Sequence, residues 1–251
     1  MKAIILSAGQ GKRLLPLTES RPKCLIPLAG ITLLEWQIRG LAANGVSEAV
    51  VVVGFAAEEV EKAVRAMQVP GIKVRTLLNP FYTVADNLGS CFIARHEMQG
   101  DFMIVNGDTL FEPAVLERVL REATAPITVT IDRKDRYDAD DMKVQTKDGR
   151  LLAIGKTLPL DIVDGESIGM LKFTPEGGAT FRAEVENALR SLEGLKRWYL
   201  SVIHTIAQGS EVGTVSIQGL EWGEVDFPAD VSRAEQLAQG WQARGVTAAA
   251  G

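Results

Sequence analysis

The chain has 251 residues, enough for a full core and as suited to one α/β domain as to two small ones, and its 46% hydrophobic and 24% charged residues are ordinary for a soluble protein. A formal net charge of -5 argues against a general nucleic-acid binder, which would carry a basic face. Two cysteines, Cys24 and Cys91, make a poor disulfide framework or metal site and read as reduced side chains.

Residues 1–6 form a short apolar run that reads as a buried first strand. Ser7, Ala8, Gly9 and Gly11 follow, small enough for the backbone to turn sharply and bring its N–H groups close to a ligand. Oriented N–H groups in such a turn make an anion-binding concavity. Lys12, Arg13 and Lys23 add positive charge, Arg as a fork for phosphate oxygens and Lys as a point charge. A phosphate-rich ligand is the expected guest, although Gly9-Gln10-Gly11 taken alone is a tight turn and no more. The dinucleotide fingerprint G-x-G-x-x-G does not fit, and the P-loop requires Ser or Thr where Arg13 stands. With few apolar residues after Lys2 and no run near the roughly eighteen that cross a bilayer, a cytoplasmic location without membrane contact is expected.

Residues 24–30 read as an extended segment ending at a turn, and 31–44 as an amphipathic helix from the spacing of Leu33, Leu34, Ile38 and Leu41. The run 49–53 is a strand covered on both faces, 57–66 a helix and 73–78 a returning strand. This rhythm implies a parallel sheet with right-handed crossovers, whose ligands bind beyond the carboxyl ends of the strands. Asp86, Asn87 and Ser90 open the next segment with residue types common in helix caps. Residues 102–105 are an apolar strand ending in Asn106-Gly107-Asp108. A carboxylate there suits Mg2+, which takes one or two carboxylates with phosphate oxygens and water; the alternative is a cap for the helix expected over 113–122.

After a strand at 127–131, the mixed-charge stretch 132–138 reads as a solvated loop, while Asp140, Asp141 and Lys143 are candidates for facing a second substrate. Strands are expected at 151–156, 165–173 and 212–217, helices at 180–192, 198–209 and 232–242, and a frayed tail at 245–251. His96 and His204 read as surface or packing residues. No linker, repeat or low-complexity segment stands out.

Together with Arg13, Pro16-Leu17-Thr18 and Pro22-Lys23, the first loop resembles the signature of the nucleotidyltransferases that make nucleoside-diphosphate sugars and alcohols. The resemblance covers nearly the whole chain. It implies an α/β fold with a Rossmann-like mixed, mostly parallel sheet flanked by helices, of the nucleotide-diphospho-sugar transferase type with a small acceptor-side subdomain. A single domain over 1–251 is expected, with a nucleotide-binding part at about 1–131 and 221–245 and an acceptor-side lid or sub-sheet at about 132–220.

The implied reaction is attack by a phosphate or phosphonate monoester on the α-phosphorus of a nucleoside triphosphate, with release of pyrophosphate. By the resemblance, Ser7, Ala8, Gly9, Gln10, Gly11, Lys12 and Arg13 hold the nucleotide, and Asn87 and Ser90 contact its base. Lys23 serves the α-phosphate or the incoming phosphate. Gly107-Asp108 resembles the family's metal position, and Glu224-Val225-Asp226 its late acidic segment, so Asp108 and Asp226 would hold Mg2+, the implied cofactor. Glu224 and Asp230 also read as a strand-face residue and a helix N-cap. Arg13, Lys23, Asp108 and Asp226 are thus the implied catalytic set.

Many sugar-nucleotide enzymes place Glu-Lys-Pro where this chain has Gly155-Lys156-Thr157, so the sugar-holding Glu is absent while the phosphate-binding Lys156 is retained. With Arg21-Pro22-Lys23-Cys24-Leu25, Asp141-Met142-Lys143-Val144 and Glu166-Ser167-Ile168-Gly169, the chain looks most like cytidylyltransferases acting on phosphocholine, inositol phosphate or 2-aminoethylphosphonate. The acceptor candidates are Lys156, Asp141, Glu166, Trp198 and Trp222. For an acceptor with an ammonium group, Trp198, Tyr199 and Trp222 offer cation–π faces and Asp140 or Asp141 counter-charges; ordinary packing is the alternative for the aromatics. A sugar-1-phosphate uridylyl- or guanylyltransferase is the next reading, and a non-catalytic nucleotide-binding regulator a more distant one. Expected partners are CTP and a small phosphate or phosphonate monoester, without nucleic acid or membrane; a homo-oligomer is left open.

Overall fold

Short aliphatic runs separated by amphipathic helices fold into one central sheet in the computed structural model, which describes residues 1–246. Residues 247–251 of the expected frayed tail lie outside the described residues. The chain begins with β1 (Lys2–Ser7), the hairpin of β2 (Pro27–Leu28) and β3 (Ile31–Thr32), and helix α1 (Leu33–Ala43). It goes on through β4 (Glu48–Val53), α2 (Ala57–Ala66), β5 (Lys73–Leu78), α3 (Asn87–Ile93), β6 (Phe102–Asn106), β7 (Thr109–Phe111) and α4 (Pro113–Glu122). Then come β8 (Ile127–Asp132), β9 (Lys143–Lys147), β10 (Arg150–Gly155), β11 (Gly165–Phe173), α5 (Pro175–Ala188) and α6 (Tyr199–Ala207). The last elements are β12 (Gly213–Ser216), β13 (Trp222–Glu224) and α7 (Pro228–Ala243).

Nine strands lie in the order β5-β4-β1-β6-β11-β8-β12-β10-β9. The first four are mutually parallel, as the strand–helix rhythm predicts. β11 enters antiparallel between β6 and β8. Its first residues also pair with β9, so β11, β8, β12, β10 and β9 close a ring. That closure needs β11 to bend. Its register on β8 shifts between Ser167 and Leu171, where Gly169 takes φ +72°, a left-handed conformation suited to glycine in a bulge.

Alternation along the strands sends Ile4 and Val52 to one face and Ala3, Ile5, Val51 and Val53 to the other. The first face is covered by α3, α5 and α6, the second by α1, α2 and α4. Each buried aliphatic side chain contributes about 1.5–3 kcal/mol by leaving water. A third cluster packs Leu14 of the first loop, Leu110 of β7 and Val225 beside β13 against Trp36 and Trp241, whose rings meet edge to face at 5.8 Å. It therefore ties the ends of three distant segments together under α7. Among the described residues, no helix is long and apolar enough to cross a membrane.

Three local expectations are corrected. The helix expected at 180–192 is α5, which starts at Pro175 with Thr174 as its cap and ends at Ala188. Gly177 and Gly178 disguise its first turn as a loop, yet a Cβ at Gly177 would collide with the Pro126 carbonyl and one at Gly178 with the Phe102 ring. The closing helix starts at Pro228, four residues before the expected 232, with proline in the first turn where its missing N–H costs nothing. Asp230 is consequently inside that helix and not its N-cap: it accepts from the Phe227 and Asp226 N–H groups at 2.7 and 3.1 Å.

Candidate active site

β1 ends at Ser7, and the backbone then turns over the carboxyl edge of the sheet. The Phe55 N–H donates to the Ala8 carbonyl at 2.9 Å and the buried Thr18 hydroxyl to the Gly11 carbonyl at 2.8 Å, which pins both ends of the turn. Gly11 has φ +71°, and a Cβ there would press on the Lys23 side chain at 3.2 Å. Its absence lets the Lys23 stem lie along the loop and send the ammonium inward.

That ammonium donates to Asp108 Oδ2 at 2.7 Å and to Asp226 Oδ1 at 2.8 Å. The two carboxylates are distant in the chain and meet because β7 and β13 pair antiparallel, with Thr109 opposite Glu224. The Val225 N–H donates to the Asp108 carbonyl at 3.0 Å and completes the alignment. Arg13 Nη2 lies 2.6 Å from Asp226 Oδ2, and its guanidinium covers the Phe227 ring at 4.9 Å. Asp108 is no helix cap, since Glu112 is the residue that precedes Pro113.

Burial by itself would lower the Lys23 ammonium's pKa, but Asp108 and Asp226 outweigh it and hold the group above its ordinary range. One oxygen, Asp108 Oδ1, is buried without a hydrogen-bond partner. Asp108, Glu224 and Asp226 each offer an oxygen, all within 4.8 Å of one another. Burial, followed by the charges of Asp108 and Asp226, pushes the Glu224 carboxyl up to about 8, with Lys23 opposing. Glu224 is the exposed member of the three and lines the cavity. An orphaned oxygen within an all-carboxylate set fits a hard divalent cation such as Mg2+.

These groups open on a cavity of about 410 Å³, lined by Ser7, Gly9, Gly11, Lys12, Arg13 and Lys23 on one side. Lys156, Glu166 and Trp198 reach it from the other side. Lys156 Nζ lies over the Trp198 ring at 5.0 Å and 3.4 Å from Asp140 Oδ1, and Asp140 Oδ2 in turn lies 3.6 Å from Arg13 Nη1. Glu166 is buried and pairs with Lys134 at 2.9 Å; burial raises its carboxyl to about 7 despite that cation. Ala8 and Ser90 line an adjoining recess of about 430 Å³, and Gly9 and Asn87 line both spaces.

Among the sequence candidates, Gln10, Asp141 and Trp222 do not line the cavity. Asp141 turns away to Lys134 at 2.8 Å and to the Asp138 N–H. Trp222 is opposite Phe111, a full strand step farther from Asp108 than Glu224 is, and its Nε1 donates to Asp132 Oδ2 at 2.7 Å. Tyr199 is fully buried, with its hydroxyl on Asn106 Oδ1 at 3.1 Å. Sequence reading missed the contribution of Glu224 to the acidic group. The signal was its two-residue spacing from Asp226, which puts both on one side of an extended chain.

The model of the MobA-like NTP transferase domain matches residues 3–204. The chain is 32% identical over 246 residues to a bifunctional IPC transferase and DIPP synthase of Rubrobacter xylanophilus, covering 97% of this chain and 53% of that protein. It is 32% identical over 245 residues to a CMP-5'-(3-aminopropyl)phosphonate synthase of Streptomyces rubellomurinus, covering 94% of this chain and 38% of that one. The chain therefore spans about half the length, or less, of these two curated relatives. The solved inositol-1-phosphate CTP transferase of T. maritima shares the fold, with a TM-score of 0.79 at 23% identity over 95% of this chain and 94% of that chain.

Proposed function

The chain belongs to the MobA-like NTP transferase domain family, and from that premise we propose that it is a Mg2+-dependent cytidylyltransferase. It transfers CMP from CTP to a small alcohol phosphate or phosphonate and releases pyrophosphate. The observation that carries this reading is the Lys23 bridge between Asp108 and Asp226 at the edge of a glycine-rich turn. Both relatives at 32% identity cover nearly all of this chain, and one of them is named for a CMP-phosphonate product.

An acceptor oxygen bonds to the α-phosphorus while the bond from that phosphorus to the β-phosphate oxygen breaks, and the electron pair leaves with pyrophosphate. The attacking oxygen is already anionic, so no proton has to be removed, and catalysis rests on positioning and charge neutralisation. Backbone N–H groups of residues 8–11 and the Arg13 fork hold the triphosphate. Lys23, kept protonated by its two carboxylates, neutralises charge at the α-phosphate. Asp108 and Asp226, with Glu224 beside them, would hold Mg2+. When bound, the ion supplies charge stabilisation to the departing pyrophosphate.

In this reading residues 1–131 and 221–245 serve the nucleotide and 132–220 the acceptor. Lys156 draws in the anionic end of the acceptor, and Glu166 and Trp198 line the space for the remainder. The absence of an acidic residue at Gly155 disfavours a sugar acceptor, whose hydroxyls would lack that partner.

The test is pyrophosphate release with Mg2+, crossing CTP, UTP, GTP, ATP and dTTP against phosphocholine, 2-aminoethylphosphonate, inositol phosphate and sugar-1-phosphates. Release with CTP and one of the small alcohol phosphates or phosphonates is expected. Release with UTP or GTP and a sugar phosphate would keep the chemistry and overturn the substrates. Nucleotide binding with no release from any pair would overturn the enzyme.

A further inference from the structure

The recess beside the glycine-rich turn contains a hydroxyl whose proton has no partner. Ser90 is 4% exposed and lines this recess with Leu6, Ala8, Gly9, Tyr82 and Asn87. Its Oγ accepts a hydrogen from Asn79 Nδ2 at 3.0 Å. Among the described residues its own O–H finds no acceptor, and a buried hydroxyl proton without one is costly.

Asn79 dictates that arrangement. It is fully buried just after β5, and its backbone N–H donates to the Val53 carbonyl at 2.7 Å. Its Oδ1 accepts from the Phe81 N–H at 2.9 Å. A backbone N–H only donates, so the amide oxygen must face Phe81 and the NH2 must face Ser90. Ser90 therefore receives on one side and has its proton left for whatever enters the recess.

We propose that Asn79 is a positioning residue for nucleobase choice: it holds Ser90 as a hydrogen-bond donor matched to N3 of cytosine. This rests on the cytidylyltransferase reading and deepens it. On the Watson–Crick edge of cytosine N3 is an acceptor, whereas the neighbouring O2 is common to cytosine and uracil. Uracil carries a proton on N3 and opposes a donor fixed there. A site built around one donor rejects the base that cannot accept from it.

The test is calorimetric binding of CTP and UTP with Mg2+, without acceptor, to the wild type, Asn79→Asp, Ser90→Ala and the double variant. A carboxylate at 79 accepts from both Phe81 and Ser90, so it turns the hydroxyl proton away from the recess while preserving the side-chain shape. The wild type is expected to prefer CTP. Each single variant should lose about tenfold of that preference, the value of one well-placed hydrogen bond. The double variant should lose no more than either, because both act through one proton. Ser90→Thr, which keeps the hydroxyl, should keep the preference.

Equal binding of CTP and UTP by the wild type overturns the inference. So does an unchanged preference in Asn79→Asp, or losses that add in the double variant, which would mark Asn79 as a structural residue. If Asn79→Asp does not fold, the test rests on Ser90→Ala and Ser90→Thr: an unchanged preference in the first, or a lost preference in the second, overturns the inference. Pyrophosphate release is scored separately on the wild type: preferential CTP binding without release would sink the transferase reading and leave the role of Asn79 standing.

Discussion

Lys23 and Asp108 are separated by 85 positions in the chain and meet at 2.7 Å. One follows the turn after β1 and the other the end of β6, and these strands are parallel neighbours in the sheet. Their carboxyl ends therefore deliver both side chains to the same edge.

That meeting makes Asp108→Asn the direct probe of the acidic group. The substitution keeps the shape, removes a charge and leaves Asp226 to hold Lys23. Turnover is expected to fall about a thousandfold, roughly 4 kcal/mol of transition-state stabilisation. The wild type should also melt at a higher temperature with Mg2+ than with a chelator, because an ion bound by the folded state stabilises it. That difference should vanish in the variant. Full turnover in Asp108→Asn, or an unchanged response to Mg2+, contradicts the assignment.

Glu166 links stability to pH. Burial raises its carboxyl from 4.5 to about 7, against the pull of Lys134. Between those values the folded protein keeps a proton that the unfolded chain releases. The contribution is complete below about pH 4.5 and is lost as pH rises through about 7. At about 1.4 kcal/mol per pH unit, the loss is on the order of 3 kcal/mol. Glu166→Gln, which cannot ionise, should gain on the wild type by that order in denaturant unfolding between pH 4.5 and 8. A constant difference across that range would remove the linkage.

The hairpin of β2 and β3 turns through Ala29 and Gly30, with φ of 51° and 80°. Positive φ at both central positions is the geometry that favours Asn-Gly, and alanine carries a Cβ penalty there. Ala29→Asn should stabilise the protein by about 0.5–1 kcal/mol, raising Tm by about 1–4 °C. Ala29→Val should lower it. The opposite order in a thermal scan would refute the turn assignment.

Both cysteines are predicted to be chemically silent in the folded protein. Burial pushes the Cys24 thiol up to about 12 and drives the fully buried Cys91 higher still. The thiolate is the reactive form, and both side chains are buried. A chromogenic disulfide reagent at pH 8 should detect no thiol in the native state and two after denaturation. Rapid modification of one thiol under native conditions would show an opening beside Ser7 or within α3.

Much of the fold was legible because its signals are local. The helices at 57–66 and 113–122 and the strand at 73–78 have the expected bounds, since side-chain period and flanking breakers are properties of contiguous residues. The first turn was legible for the same reason: Ser7, Ala8, Gly9 and Gly11 dictate where a backbone can bend. The start of α5 was not, because Gly177 and Gly178 mark a breaker in the sequence, and the need for them lies in Pro126 and Phe102, which pack against them.

By itself the sequence determined that a parallel α/β half begins the chain, that its first loop suits phosphates, and which charged residues were candidates for chemistry. Tertiary structure decided which of those candidates share a space. Pairing of β7 with β13 set Glu224 beside Asp108 and Asp226, whereas Trp222, on the same short strand, was carried away from the cavity. Closure of β9 onto β11 buried Glu166, and Asp141 turned away to Lys134. A three-residue strand has too few positions to reveal which way it faces, and register between segments more than a hundred residues apart is set by packing, not by either segment alone.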